Sequence, residues 1–113
     1  MEQKFTHSAD NNVMYNYSCW INNIELDDLK HILESFLKES GHGIRGYVEE
    51  AFEPQGHTGA YILSESHLAF HINMHQTYIE LSSCHFQKFS NFVKLIRSSS
   101  LEILKEFEFN KSL

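Results

Sequence analysis

Hydrophobic residues recur along the chain with two spacings, one typical of strands and one typical of helices. Alternating apolar positions predict strands over 13–20, 44–52, 58–64, 67–72, 78–83 and 102–109. Apolar residues three and four positions apart predict helices over 24–38 and 86–97. Asn23 is the expected N-cap of the first helix, and Gly41 its expected stop. The order is therefore strand, helix, four strands, helix, strand.

This order predicts an α+β fold in which an antiparallel sheet carries both helices packed on one face. The sequence contains no internal repeat and no linker long enough to divide it, so residues 1–113 are expected to form a single domain. The polar segment 1–12 has no periodicity and is expected to be a flexible end. The apolar stripes of the helices are expected to be core.

The amino-acid composition of the chain limits the kinds of molecule that the protein is expected to bind. Of 113 residues, 42% are hydrophobic, as in a folded globule, and the net charge of −6 argues against binding nucleic acid or an anionic membrane. No apolar run approaches the roughly 20 residues that span a bilayer, and the N-terminus lacks the apolar centre of a signal peptide. A cytoplasmic protein with reduced cysteines at Cys19 and Cys84 is expected.

A motif in the middle of the chain carries the strongest chemical indication. The triplet Glu65-Ser66-His67 ends a predicted strand and is followed by His71 and, after the next strand, by Cys84. The flanking residues that complete the pattern are Phe52, Pro54, Gly56 and Thr58. This segment resembles the prokaryotic S-adenosylmethionine decarboxylases, although the interval between His71 and Cys84 is about two residues shorter than in that family.

The resemblance implies a self-processing enzyme with a pyruvoyl cofactor. Ser66 would attack the carbonyl carbon of Glu65, and elimination would then cleave the chain between Glu65 and Ser66 and leave a pyruvoyl group at position 66. Because a serine hydroxyl is a weak nucleophile, it needs nearby donors and a base. The resemblance assigns His71 to the elimination and Thr58 to placing the attacked peptide.

The resemblance also implies how the mature enzyme would work. The pyruvoyl ketone would form a Schiff base with a substrate amine and accept the electrons released with carbon dioxide. Cys84 would return a proton to the substrate. Substrate contacts are implied for Phe52, Glu65 and His67, with Phe52 stacking on adenine. A homodimer with active sites near the subunit boundary is expected, and the exposed edges and aromatic residues of a small sheet favour association.

Each of these residues also has a structural interpretation. Ser66 could be an ordinary turn serine, His71 and Phe52 core residues, and Cys84 a small buried hydrophobe. The four-residue spacing of His67, His71 and His75 would place three imidazoles on one face, which suits zinc. We expect no metal, because no carboxylate or thiolate ligand is assigned beside them and two of them have another explanation.

The chain departs from the family immediately after His71. Typical members continue with Thr-Trp-Pro-Glu, whose tryptophan stacks on adenine and whose glutamate binds ribose, but here Asn73 and His75 replace those two residues. Three interpretations follow: an S-adenosylmethionine decarboxylase that supplies aminopropyl groups for spermidine synthesis, a pyruvoyl decarboxylase of another amino acid such as ornithine or arginine, or an unprocessed regulatory homologue. We favour the first.

Overall fold

A computed structural model describes residues 12–113, so most of the segment expected to be flexible lies outside the described residues. The described part follows the predicted order of elements and confirms the α+β class. Its elements are β1 (Val13–Asn22), α1 (Leu26–Ser40), β2 (Ile44–Phe52), β3 (Gly56–Leu63), β4 (Ser66–Ile72), β5 (Gln76–Ser83), α2 (Phe86–Arg97) and β6 (Ile103–Ser112). Within this part, neither helix is long and apolar enough to cross a membrane.

The strands form one antiparallel sheet in the order β2-β3-β4-β5-β1-β6. Neighbours along the chain pair through short turns from β2 to β5, whereas β1 is inserted between β5 and β6. As a result β4 is an interior strand, flanked on both sides. Ser66, its first residue, therefore lies at the end of a strand whose position is fixed by two ladders of hydrogen bonds.

Both helices cover one face of the sheet and enclose the hydrophobic core. In α1, the residues Leu29, Leu33 and Leu37 recur every four positions and are all fully buried. The buried face of α2 consists of Phe89, Phe92, Val93 and Ile96. Phe86, which was predicted to share that face, is only partly covered: as the first residue of the helix it remains 49% exposed, with its ring edge against Tyr15.

Side chains alternate between this helix-covered face and the opposite open face. Along β4, Ser66, Leu68 and Phe70 point toward the helices, whereas His67 and His71 point to the open face. The open face also carries exposed apolar side chains from other strands, namely Val48, Ile62, Phe107 and Phe109. Ser66 and His71 consequently lie on opposite faces of the sheet.

The two ends of α1 are built differently from each other. Gly41 ends the helix as predicted: its φ of 95° is left-handed, and the N–H of the next residue, His42, donates to Leu37 O at 2.8 Å. This turn folds His42 back beneath the helix. At the other end, Glu25 rather than Asn23 is the N-cap. The Asn23 side chain instead donates to Asn73 O at 2.9 Å, which ties it to the β4–β5 turn.

Candidate active site

The peptide bond between Glu65 and Ser66 lies at the bend that joins β3 to β4. Because Ser66 pairs with Ser83 at the end of β5, the next residue, Cys84, is placed beside Glu65. The Cys84 thiol donates to the carbonyl oxygen of Glu65, with Sγ and O 2.9 Å apart. The structure therefore places a proton-donating thiol on the carbonyl group that the sequence predicts to be attacked.

The Ser66 hydroxyl points away from the solvent, toward the helices. It donates to Ser83 Oγ at 3.2 Å, Ser83 Oγ lies 3.2 Å from His42 Nε2, and His42 Nδ1 lies 2.8 Å from Ser40 Oγ. We call these four residues, Ser66, Ser83, His42 and Ser40, the polar row. It connects the predicted reacting hydroxyl to the C-terminal end of α1 beneath the protein surface.

The imidazole of His42 is the titratable group of this row. His42 is 5% exposed, and its burial lowers the pKa to about 4, with Lys88 and His85 adding like-charge repulsion in the same direction. At neutral pH the ring is therefore uncharged, and one of its nitrogens carries a lone pair. The other thiol, Cys19, lies in the core, where burial raises its pKa to about 11. The candidate thiol chemistry therefore belongs to Cys84.

Sequence reasoning did not find Ser40, His42 or Ser83. No motif marks them, because they come from three separate segments and meet only through the fold. Two local signals existed: Gly41 predicts the turn that returns His42 to the helix, and the pairing of neighbouring strands would place the end of β5 beside the start of β4. Neither signal reveals that His42 is buried.

Thr58 and His71 form a second polar pair, on the open face. They are directly opposite each other in the ladder between β3 and β4, and Thr58 Oγ1 lies 3.0 Å from His71 Nδ1. The Tyr78 ring stacks near the imidazole, with centroids 6.2 Å apart. Five residues of strand separate His71 from Ser66, roughly 16 Å. The fold thus brings Glu65, Ser66 and Cys84 together, and Thr58 with His71, but it does not join the two groups within one chain.

Phe52 ends β2, two strands away from β4 and level with the β4–β5 turn, so it lies more than roughly 20 Å from Ser66 by strand geometry. Its ring is 47% exposed and lies over Gly56, where any Cβ would overlap it. With Asn73 and His75 it lines a recess of about 190 Å³. His67 is exposed on the open face, near the start of β4. Phe52 is therefore close to the residues that replace the family's tryptophan and glutamate, but not to Ser66.

Asn73 has a structural role in this turn. Its side-chain oxygen accepts from the backbone N–H groups of His75, at 2.9 Å, and Gln76, at 2.8 Å. This is the Asx-type arrangement by which asparagine stabilises a tight turn. The side-chain acceptor is consequently engaged within the β4–β5 turn.

Within residues 12–113, no group of three or more potential ligands is placed to hold a metal ion. His67 and His71 project from the open face of β4, and His75 lies in the turn beyond it. Cys19 and Cys84 are both reduced.

Comparison with known proteins agrees with the fold. The crystal structure of the adenosylmethionine decarboxylase from Aquifex aeolicus superposes with a TM-score of 0.59 over 88% of each chain, at 13% identity, which is a likeness of fold. No curated protein sequence matches the chain. The family model described as S-adenosylmethionine decarboxylase matches residues 17–100, a span that includes the Glu65–Ser66 bond, Cys84 and most of the fold. On that match, the chain belongs to the S-adenosylmethionine decarboxylase family.

Proposed function

We propose that this chain is a self-processing, pyruvoyl-dependent decarboxylase that acts on S-adenosylmethionine and supplies aminopropyl groups for spermidine synthesis. Family membership supports decarboxylase chemistry in general. The observation that carries the finer proposal is the 2.9 Å contact between the Cys84 thiol and the Glu65 carbonyl oxygen, next to the Ser66 hydroxyl.

Processing begins when Ser66 Oγ attacks the carbonyl carbon of Glu65. The attack closes a five-membered ring, and negative charge develops on the Glu65 oxygen, where the Cys84 thiol donates. A donor aimed at the developing charge lowers the barrier without needing to reorganise. The peptide bond becomes an ester, and loss of the Ser66 α proton releases Glu65 as a carboxylate. Hydrolysis of the resulting dehydroalanine then releases its nitrogen as ammonia and leaves the pyruvoyl group.

Once formed, the pyruvoyl group would supply the electron sink that decarboxylation requires. Cys84 would serve it, since its Sγ contacts the carbonyl oxygen of the bond that is cut. In this position the thiol holds a proton close to where the substrate α carbon would lie, and it can deliver that proton after carbon dioxide leaves. Cys84 therefore acts in two successive steps.

His71 and Thr58 enter this scheme through a second subunit. Within one chain they are roughly 16 Å from Ser66 and on the other face of the sheet. The open face that carries them also exposes Val48, Ile62 and Phe107, apolar surface of the kind that marks an interface. A homodimer that associates through this face would bring the Thr58–His71 pair of one subunit to the active site of the other.

Self-cleavage is tested by the mass of the purified protein. We expect two fragments, residues 1–65 and a second chain that begins with pyruvoyl at position 66. Ser66→Ala should remain whole, because it removes the nucleophile and leaves the fold intact. Wild-type protein that stays whole after long incubation would contradict the proposal and favour an unprocessed, regulatory homologue.

The dimer is tested by mixing two inactive subunits. His71→Ala retains its own Ser66, and Ser66→Ala retains its own His71, so a mixed dimer contains one complete set of residues. We expect the His71→Ala chain to cleave only when Ser66→Ala chains are added. Cleavage of His71→Ala alone at the wild-type rate, or a strictly monomeric protein in light scattering, would exclude the shared site.

A second substrate class has one specific observation in its favour. Asn73 stands where relatives have the tryptophan that stacks on adenine, and its side chain is committed to the β4–β5 turn. A decarboxylase of ornithine or arginine would need no adenine stack. Carbon dioxide release from S-adenosylmethionine, ornithine, arginine and lysine, measured side by side, decides between the two classes.

A further inference from the structure

We propose that Ser83 and His42 form the proton-accepting path for the attack of Ser66 on Glu65, an inference that rests on the proposed self-processing. Ser83 touches the reacting hydroxyl and is catalytic in this step. His42 acts through Ser83 and is a positioning residue. The polar row supplies, within one chain, the base that Ser66 requires and that His71 of the same chain is too distant to provide.

The direction of the hydrogen bonds supports this assignment. Ser40 Oγ donates to Leu37 O at 3.1 Å, so its oxygen is left to accept from His42 Nδ1. A neutral imidazole with a proton on Nδ1 has a lone pair on Nε2. Nε2 therefore accepts from the Ser83 hydroxyl, whose oxygen accepts from Ser66. The Ser66 proton therefore points to Ser83, and the Ser83 proton points to His42 Nε2.

A competing arrangement around Ser83 is weaker. The backbone carbonyl of His85 is a second possible acceptor for the Ser83 hydroxyl, but it lies at 3.5 Å, compared with 3.2 Å for His42 Nε2. The backbone N–H of His85 donates to Ser83 Oγ at 3.3 Å. That bond fixes the serine in place and leaves its proton for His42.

The step balances without any other reactant. As the bond between Ser66 Oγ and the Glu65 carbon forms, the Ser66 proton moves to Ser83 and the Ser83 proton moves to His42 Nε2. The carbonyl electrons move onto the Glu65 oxygen, which the Cys84 thiol contacts. When the carbon–nitrogen bond breaks, the proton held by His42 returns through Ser83 to the Ser66 nitrogen. The products are an ester and an amine, with no net change in protons or electrons.

Two variants with matched controls test the path. His42→Gln keeps a polar group of similar size in the row but cannot take up a proton, and Ser83→Ala removes the link to Ser66. The controls are His31→Gln, an exposed histidine of α1, and Ser82→Ala, the neighbouring serine on the other face of the sheet. We expect the variants to slow self-cleavage about 100-fold and the controls to leave it unchanged. Wild-type cleavage rates in His42→Gln would overturn the proposal.

The pH profile separates proton transfer from a merely structural role. His42 is held neutral by burial and by the neighbouring Lys88 cation, so wild-type cleavage should change little between about pH 6 and pH 8. In His42→Gln, hydroxide must remove the proton, and the rate should rise about tenfold per pH unit. If His42→Gln cleaves slowly but its rate stays as independent of pH as that of wild type, His42 has only a structural role.

A probe of Ser66 reactivity distinguishes failure of this path from failure of self-cleavage. If wild-type protein stays whole, the proposed function fails, and a fluorophosphonate can then be applied to the intact chain. Labelling of Ser66 in wild type and its loss in His42→Gln would uphold the activating path without cleavage. Equal labelling in both proteins, or none in wild type, would overturn it.

Discussion

Replacing Cys84 with alanine removes the thiol that donates to the Glu65 carbonyl oxygen at 2.9 Å. Loss of one donor from an oxyanion site typically slows a reaction about 10²- to 10³-fold. A thiol is a weaker donor than an amide, so the expected loss lies below that range. We expect self-cleavage of Cys84→Ala to slow about 10- to 100-fold, which corresponds to roughly 1.4–2.7 kcal/mol in the barrier.

Cys84→Ser separates the two roles of the side chain. A serine hydroxyl at this position can still donate to the Glu65 oxygen, so cleavage should return to within about tenfold of wild type. Turnover of the cleaved enzyme should remain low in both variants, by about 100-fold or more, because neither side chain replaces the thiol as a proton donor to the substrate. Cys19→Ala, which changes the buried cysteine of β1, is the matched control and should leave both rates intact.

The assay is a time course of intact mass on freshly purified protein, followed by carbon dioxide release from the fully cleaved fraction. Wild-type cleavage in Cys84→Ala would show that the contact with Glu65 does not assist processing. Near-normal turnover in the same cleaved variant would remove Cys84 from the decarboxylation step. A loss of both rates in Cys19→Ala would point instead to a general effect on folding.

Two further predictions concern His42 and the β4–β5 turn. Because the folded-state pKa of His42 is about 4, below the roughly 6.5 of an unfolded chain, stability should fall as pH drops from about 6.5 to 4, by up to about 3 kcal/mol. Urea unfolding of Ser66→Ala should show this loss, and adding His42→Gln should reduce it. Asn73→Trp with His75→Glu should strengthen S-adenosylmethionine recognition tens- to thousands-fold. The argument that the missing tryptophan and glutamate weaken nucleoside recognition would be refuted if the unmodified protein strongly preferred S-adenosylmethionine and the substitutions left that preference unchanged.

Much of the fold could be predicted because its signals are local. The bounds of β2 and α2 were predicted to the residue, and Gly41 ends α1 because only the left-handed region closes that turn. The N-cap was missed because Asn23 bonds across to the β4–β5 turn, a contact between segments 50 residues apart. The insertion of β1 between β5 and β6 is likewise a long-range pairing that no local pattern encodes.

The site could be predicted only in part, for a geometric reason. The motif identified the Glu65–Ser66 bond and Cys84, because strand pairing brings the end of β5 to the start of β4. Ser66 and His71 are an odd number of positions apart, which already implies that they lie on opposite faces of a strand. The family resemblance assigned both residues to one active site, so this signal was not used. Burial of His42 depends on how α1 packs against α2, where its ring meets Phe92 edge-on, and the sequence does not reveal that.

The position of β1 between β5 and β6 has a consequence for the processed protein. A cut at the Glu65–Ser66 bond would leave β1, α1, β2 and β3 on one fragment and β4, β5, α2 and β6 on the other. Three strand interfaces then cross between the fragments, namely β3 with β4, β5 with β1, and β1 with β6. The pieces are interlaced and cannot separate without dismantling the sheet. Maturation would therefore cut the chain but leave the two fragments associated. The processed protein would migrate as a single species under native conditions and would separate into two fragments only when denatured.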